Sequence, residues 1–221
     1  GMHGPNGIAF GPDGFGYVGV GGRADHGERL VEPGVGEQDD LHPYEAAILR
    51  FSPDGEDVGV FAYGFRNPYD IAWDSLGNLY ATENGRDPDL DTLESPPDEV
   101  HLVVPNGEHG YPYYECSACF GVPEGMDIIE PILELIPHAA VTGITAFQSE
   151  MHPEFVDDLF FVLWSAFEGA QKVVRLSPDT GESSDFATGF AQPIDITVAD
   201  NGTLFVADYA TGIIFKISPV G

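Results

Sequence analysis

The chain is written in short alternations of apolar and polar residues, broken every few positions by Asp, Asn, Gly or Pro. A period of two marks a half-buried β-strand, and no segment sustains the 3.6-residue period of an amphipathic helix. Three stretches align without a gap: NGIAFGPDGFGYVGV from Asn6 to Val20, YDIAWDSLGNLYATE from Tyr69 to Glu83, and IDITVADNGTLFVAD from Ile194 to Asp208. Ile8, Ile71 and Ile196 fall in one column, Gly14, Gly77 and Gly202 in another, and Tyr17, Tyr80 and Phe205 in a third. Each stretch reads as strand, tight turn and strand, a hairpin with its turn residues in place. A looser fourth copy begins at Thr142 (TGITAF) and resumes after an insertion at Asp158 (DLFFV).

A further strand-like run follows each hairpin: AAILRFSPDG at 46–55, EVHLVVPNG at 99–107, QKVVRLSPDTG at 171–181 and GIIFKIS at 212–218. Four such repeats predict an all-β fold, a β-propeller of four-stranded antiparallel blades in a single domain over residues 1–221. Ile8, Ile71, Ile144 and Ile196 are then expected on equivalent first strands. The connections at 23–45, 86–98 and 113–141 read as long loops, where a rigid scaffold usually carries its function.

The charge balance narrows the partners. The 221 residues hold 37 acidic side chains against 8 basic ones, a formal net charge of −29, and Lys172 and Lys216 are the only lysines. Such a chain repels nucleic acid and anionic membranes, which are bound through Lys and Arg. The acids are spread along the sequence, as in a solvated, halophilic-like surface that tolerates high salt. No apolar run is long enough to insert as a membrane-spanning helix. Gly1 and Met2 read as a cloning remnant and a start, and no leader-like segment follows them. Cys116 and Cys119 sit in a C-S-A-C loop with no second cysteine pair for zinc, so they are a small disulfide or two thiols; a disulfide would favour an extracytoplasmic address.

The candidate chemistry is concentrated between Tyr63 and Pro112. Arg66-Asn67-Pro68 precedes one hairpin, Asn84-Gly85-Arg86-Asp87 follows it, and then come Pro96-Pro97-Asp98-Glu99 and Gly110-Tyr111-Pro112. Arginine, asparagine, turn carbonyls and carboxylates suit a polyanionic cofactor with a bound hard cation. This order resembles the soluble quinoprotein glucose/sorbosone dehydrogenases, six-bladed propellers that use pyrroloquinoline quinone (PQQ) and calcium. The resemblance implies oxidation of an aldose to a lactone, in a periplasmic or secreted protein. It makes His3, seven residues before Phe10, the base for the sugar hydroxyl, a task suited to an imidazole. Arg66, Asn67, Tyr69, Gly85, Arg86 and Lys172 would contact the cofactor, with Arg66 also stabilising charge in the transition state. Calcium would lie on the Gly85 and Arg86 carbonyls, and Asp98 and Glu99 would contribute to structural metal binding.

The sequence also departs from the family. Gly21-Gly22 replaces Gly-Asp, Tyr69 replaces a Gln-like residue, and Gln192 stands where an arginine is expected. Only Lys172, Arg175 and Lys216 follow Arg86 as cations. The resemblance covers the later blades, so about two of the six are expected to be absent, leaving apolar faces on the first and last blades that favour homo-oligomers. A calcium-dependent propeller lactonase and a non-catalytic propeller are the competing readings.

Overall fold

The aligned stretches fold as hairpins because their turns contain the residues such turns require. Gly14, Gly77 and Gly202 have φ of 80°, 85° and 76°, a left-handed conformation that glycine adopts without a Cβ clash. Neighbouring polar side chains close the same turns. Asp13 Oδ1 accepts the Phe15 amide at 3.1 Å, Asp74 Oδ1 the Asn78 amide at 2.7 Å and Asn201 Oδ1 the Thr203 amide at 3.1 Å.

The computed structural model describes residues 3–23, 30–32, 36–38, 42–87, 95–113 and 124–218. Cys116 and Cys119 lie outside the described residues. The first blade comprises β1 (Pro5–Phe10) and β2 (Gly16–Val20), a small hairpin of β3 (Leu30–Glu32) and β4 (Gly36–Gln38) in the following connection, then β5 (Ala47–Phe51) and β6 (Val58–Tyr63). The second has β7 (Pro68–Trp73), β8 (Leu79–Glu83), β9 (Glu99–Val103) and the two-residue β10 (Leu133–Glu134). The third has β11 (Val141–Ala146), β12 (Leu159–Leu163), β13 (Lys172–Ser177) and β14 (Glu182–Thr188). The fourth has β15 (Pro193–Val198), β16 (Leu204–Asp208) and β17 (Ile213–Ile217). Every pairing is antiparallel between neighbours in this order, with β2 passing to β5 across the small hairpin.

The expected propeller architecture is therefore present, with two corrections of detail. The last sheet has three strands where the repeat predicts four, because no described residue pairs with the open edge of β17. The outer strand of the second blade, β10, lies inside the stretch read from sequence as a loop. Two residues are too few to register as an alternation.

Ile8, Ile71, Ile144 and Ile196 do stand on the equivalent first strands and pair with Val18, Ala81, Phe161 and Val206. Each first strand carries a one-residue irregularity just before its isoleucine. First strands pack in sequence order, β1 on β7, β7 on β11 and β11 on β15, and β15 has no comparable packing on β1. Three apolar cores fill the three junctions. Tyr17, Phe65, Ile71 and Leu79 join blades one and two; Tyr80, Val100, Ile144 and Phe161 join two and three; Phe160, Val173, Ile196 and Val206 join three and four. Four sheets with three cores form an open arc. Accordingly Ile8, at the uncovered end, is 58% exposed, whereas Ile71, Ile144 and Ile196 are 4%, 4% and 3% exposed.

Candidate functional site

The segments that enter the first strands and leave the second strands lie at the same end of the arc, and a backbone ladder connects them. His3 donates its amide to the Gly22 carbonyl at 3.2 Å, and Gly22 donates to the Arg66 carbonyl at 2.7 Å. Neither glycine could be larger without displacement. A Cβ on Gly21 would lie 2.3 Å from the His3 Cβ, and one on Gly22 would lie 3.1 Å from the Tyr111 hydroxyl. Gly21 thus lets the His3 and Arg66 segments approach, while Gly22, where the sequence departs from the family pattern, makes room for the Tyr111 ring.

Asparagine side chains form a second link. Asn6 Nδ2 donates to Asn67 Oδ1 at 2.8 Å, Asn67 Nδ2 to Asn84 Oδ1 at 3.0 Å, and Asn84 Nδ2 to the Val141 carbonyl at 2.6 Å. Three consecutive blades are joined through it. Arg66, only 5% exposed, donates from Nη1 to the Asn84 carbonyl at 2.9 Å. Glu83 Oε1 accepts the consecutive amides of Arg66 and Asn67 at 2.5 and 2.9 Å, which fixes the backbone that presents both side chains. Burial pushes the Glu83 carboxyl well above the usual carboxylate range, against the pull of the Asn67 and Arg66 amides.

Gly85 and Arg86 follow directly. A Cβ on Gly85 would lie 2.4 Å from the Pro97 carbonyl, so only glycine fits there. Arg86 is 1% exposed. Asp98 ties this loop to the third blade, accepting the Gly85 amide on Oδ1 at 2.9 Å and the Val141 amide on Oδ2 at 3.2 Å. Burial raises its pKa against the pull of those amides. Glu99 faces Glu83 across the β8–β9 ladder. Its pKa is pushed up to about 8 by burial, with the charges of Glu134 and Asp98 adding to the effect.

Behind Glu99 runs a buried chain of imidazoles. The Val104 amide donates to His109 Nε2 at 3.3 Å, His109 Nδ1 meets His101 Nδ1 at 3.3 Å, and His101 Nε2 meets Glu99 Oε2 at 2.9 Å. Since His109 Nε2 accepts, its proton is on Nδ1, which leaves the His101 proton on Nε2 for Glu99. Burial pushes both imidazoles down to about 3, so both are neutral.

The structure thus gathers His3, Arg66, Asn67, Gly85, Arg86 and Asp98 at one end of the arc. Two of the sequence candidates stand apart from them. Tyr69 lies near Asp70 and Asp195, where burial and then those two carboxylates raise its pKa. Lys172 is on the third strand of its blade and pairs with Asp185 at 2.6 Å, diagonally across the β13–β14 ladder in which Lys172 faces Thr188 and Val174 faces Asp185. Arg175, likewise on β13, pairs with Asp158. The cations assembled with the candidate site are therefore those of the second blade. Among the described residues no group of three His, Cys, Asp or Glu is arranged to hold a metal ion. A cavity of about 390 Å³ lies at the other end of the first strands, between Phe10, Trp73, Ala146, Gln148 and Asp200, and takes in none of the candidate residues. No described helix is long and apolar enough to cross a membrane.

Sequence reasoning passed over Asn6, Glu83, Asn84, His101 and His109. The one available signal was the position of Glu83 and Asn84 immediately before the Gly85-Arg86 turn.

The same arrangement of sheets occurs in known proteins. The fold is similar to the PQQ-bound form of an aldose sugar dehydrogenase from Streptomyces coelicolor, with a TM-score of 0.66 and 21% identity over 97% of this chain and 60% of that one. It is similar to the apo form of the soluble aldose sugar dehydrogenase from Escherichia coli, with a TM-score of 0.61 and 17% identity over 90% of this chain and 59% of that one. The holo PQQ domain of a pyranose dehydrogenase from Coprinopsis cinerea matches with a TM-score of 0.66 and 16% identity over 96% of this chain and 69% of that one. The chain spans about 60% of the length of the two aldose sugar dehydrogenases. No curated protein matches it significantly. The sequence itself matches the glucose/sorbosone dehydrogenase family over residues 1–216, and the chain belongs to that family.

Proposed function

We propose that this chain provides the cofactor-holding part of a PQQ- and calcium-dependent sugar dehydrogenase that oxidises an aldose to its lactone. One observation carries the reading: the ladder from His3 through Gly22 to Arg66, reinforced by the asparagine link, brings a histidine, an arginine and side-chain amides to one end of the arc. The donor set fits the group. Two arginines buried in a chain of net charge −29, together with amide donors, are what an anionic quinone requires.

Arg66, Asn67 and Arg86 would hold the cofactor, and the Gly85 and Arg86 carbonyls its calcium, since hard cations take backbone oxygen. Bound there, PQQ would supply the hydride acceptor. His3 would remove the proton from the sugar hydroxyl. The Arg66 guanidinium would counter the negative charge that accumulates during oxidation, an interaction stronger in the transition state than in the ground state. Asn84 would fix the direction of the Arg66 guanidinium through its carbonyl. A sugar is accordingly the proposed substrate, and the periplasm or extracellular space the proposed location.

The test is titration of the purified protein with PQQ at saturating calcium, followed by absorbance, alongside dye-linked oxidation of a panel of aldoses. Wild type should bind PQQ. Arg66→Ala should bind at least about tenfold more weakly, the size of one charge-assisted contact, while still unfolding in one cooperative transition. Equal binding by the two proteins, or none by wild type, would remove the assignment.

A further inference from the structure

Arg23 stands at the start of the connection from β2 to β5, and Glu45 at its end. Their side chains meet as a two-pronged ion pair: Arg23 Nη2 donates to Glu45 Oε1 at 2.9 Å, and Arg23 Nε donates to Oε2. In this geometry a guanidinium and a carboxylate fix each other's direction as well as their separation. The pair is sheltered, with 6% of the Glu45 side chain and 29% of the Arg23 side chain exposed, so solvent ions screen it less than a surface pair. Burial pushes the Glu45 carboxyl up, but Arg23 and the His42 amide, which reaches Oε1 at 2.7 Å, hold it below the usual carboxylate range.

The pair is joined at both ends to the ladder between His3 and Arg66. Arg23 follows Gly22, whose carbonyl receives the His3 amide and whose own amide bonds the Arg66 carbonyl. Glu45 precedes Ala46, whose carbonyl accepts the Gly64 amide at 2.9 Å and the Phe65 amide at 3.1 Å. Ala46 has a φ of 54°, a left-handed conformation unfavourable for alanine, so that turn relies on its surroundings to keep the carbonyl in place. A closed circuit results. It runs from Gly22 to Arg66, back along the chain to Phe65, across to Ala46 and Glu45, and through the ion pair to Arg23 and Gly22. The Phe65 corner is fixed by the core, being fully buried and stacked on His109 at 4.6 Å.

Arg66 has holds of its own outside this circuit, Glu83 at its amide and the Asn84 carbonyl at its guanidinium. The ion pair acts instead on the Gly22 segment. We infer, on the function proposed above, that Arg23 and Glu45 are positioning residues for the oxidation, fixing the Gly22 peptide and through it the placement of His3 relative to Arg66. Loosening the pair leaves Arg66 in place and lets His3 drift, so turnover suffers and cofactor binding does not. A catalytic group displaced by about 1 Å loses on the order of a hundredfold in rate.

The experiment compares wild type with Arg23→Gln, Glu45→Gln and the double variant. One readout is amide hydrogen exchange at Gly22 without cofactor, with Phe161, buried on the central strand β12, as the reference. The other is aldose oxidation at saturating calcium, resolved into kcat, KM and the PQQ dissociation constant. Each single variant should exchange Gly22 at least about tenfold faster at an unchanged Phe161 rate, the mark of local opening. Its kcat should fall at least about tenfold while PQQ affinity stays within about threefold of wild type. The double variant should be no worse than either single one, as expected for two members of one interaction. Arg23→Lys, which keeps the charge but not the fork, should recover part of both losses. Equal Gly22 exchange in wild type and Arg23→Gln would overturn the inference, as would Phe161 accelerating in step with Gly22, or PQQ affinity falling as far as kcat. Exchange needs no cofactor, so a wild type without activity would count against the dehydrogenase reading, and Gly22 would still decide whether the pair holds the ladder.

Discussion

Glu83 shows how much of the candidate site depends on residues that would never touch a substrate. Its single Oε1 serves two successive amides, Arg66 and Asn67, from within the core. Replacing it by Ala would leave both amides without an acceptor, at about 1–3 kcal/mol each. Replacing it by Gln keeps a carbonyl in place. Glu83→Ala should therefore lower the urea midpoint and abolish PQQ binding, whereas Glu83→Gln should stay near wild type in both; equal loss in the two variants would mean that volume, not the hydrogen bonds, is what matters. Legibility at this scale followed chemistry that is local in sequence. Arg66, Asn67 and Gly85 stood out because adjacent turn residues and glycines leave a mark on the chain itself. Asn6 left none, since its partner Asn67 is 61 residues away and becomes a neighbour only when two blades pack. Lys172 attracted attention as one of only two lysines, but strand alternation turned it toward Asp185.

At the level of elements, the hairpins were readable and the outer strands were not. The first two strands of the first, second and fourth blades combine alternation with a glycine turn, a double signal. β14, with the sequence ESSDFAT, is largely exposed and carries no apolar rhythm, and β10 is two residues long. The shared irregularity of the first strands was also invisible, and beside it Asp70 accepts the Ile71 and Ile144 amides. Its acceptor Asp70 has a pH signature. Burial raises its pKa from 3.8 to about 6, with the Asp195 charge adding and the Ile144 and Ile71 amides opposing. The native state thus holds this proton more tightly than the unfolded chain does, so the contribution to stability is full below about pH 4, declines as the pH rises to about 6, and is level above that. The slope is up to about 1.4 kcal/mol per pH unit. Asp70→Asn removes the titration, so its stability relative to wild type should improve between about pH 4 and 6 and then run parallel. Chemical melts at four pH values would check this, and profiles parallel throughout would contradict it.

For the whole molecule, the acidic surface and the candidate site obey different rules. The excess of carboxylates is spread over the solvated surface, whereas the acids nearest Arg66 and Arg86 are buried, with the Glu83 pKa raised by burial and that of Glu99 pushed up to about 8. Raising the salt concentration should therefore stabilise the fold by relieving surface repulsion, while affecting contacts made inside the site less. Thermal melts in low and high salt, run with PQQ titrations under both conditions, would separate the two; a binding constant that falls in step with surface screening would place the cofactor on the outside. The asparagine link has a consequence of its own. Asn6, Asn67 and Asn84 bond in series across two junctions, and each amide points its donor the same way round the arc. A fixed length of side chain spans each gap, so the series works as a gauge of blade spacing: any rotation that spreads the blades must first stretch an amide contact beside Arg66, and the tension that closes or opens the arc is read out at the site before it reaches the cores.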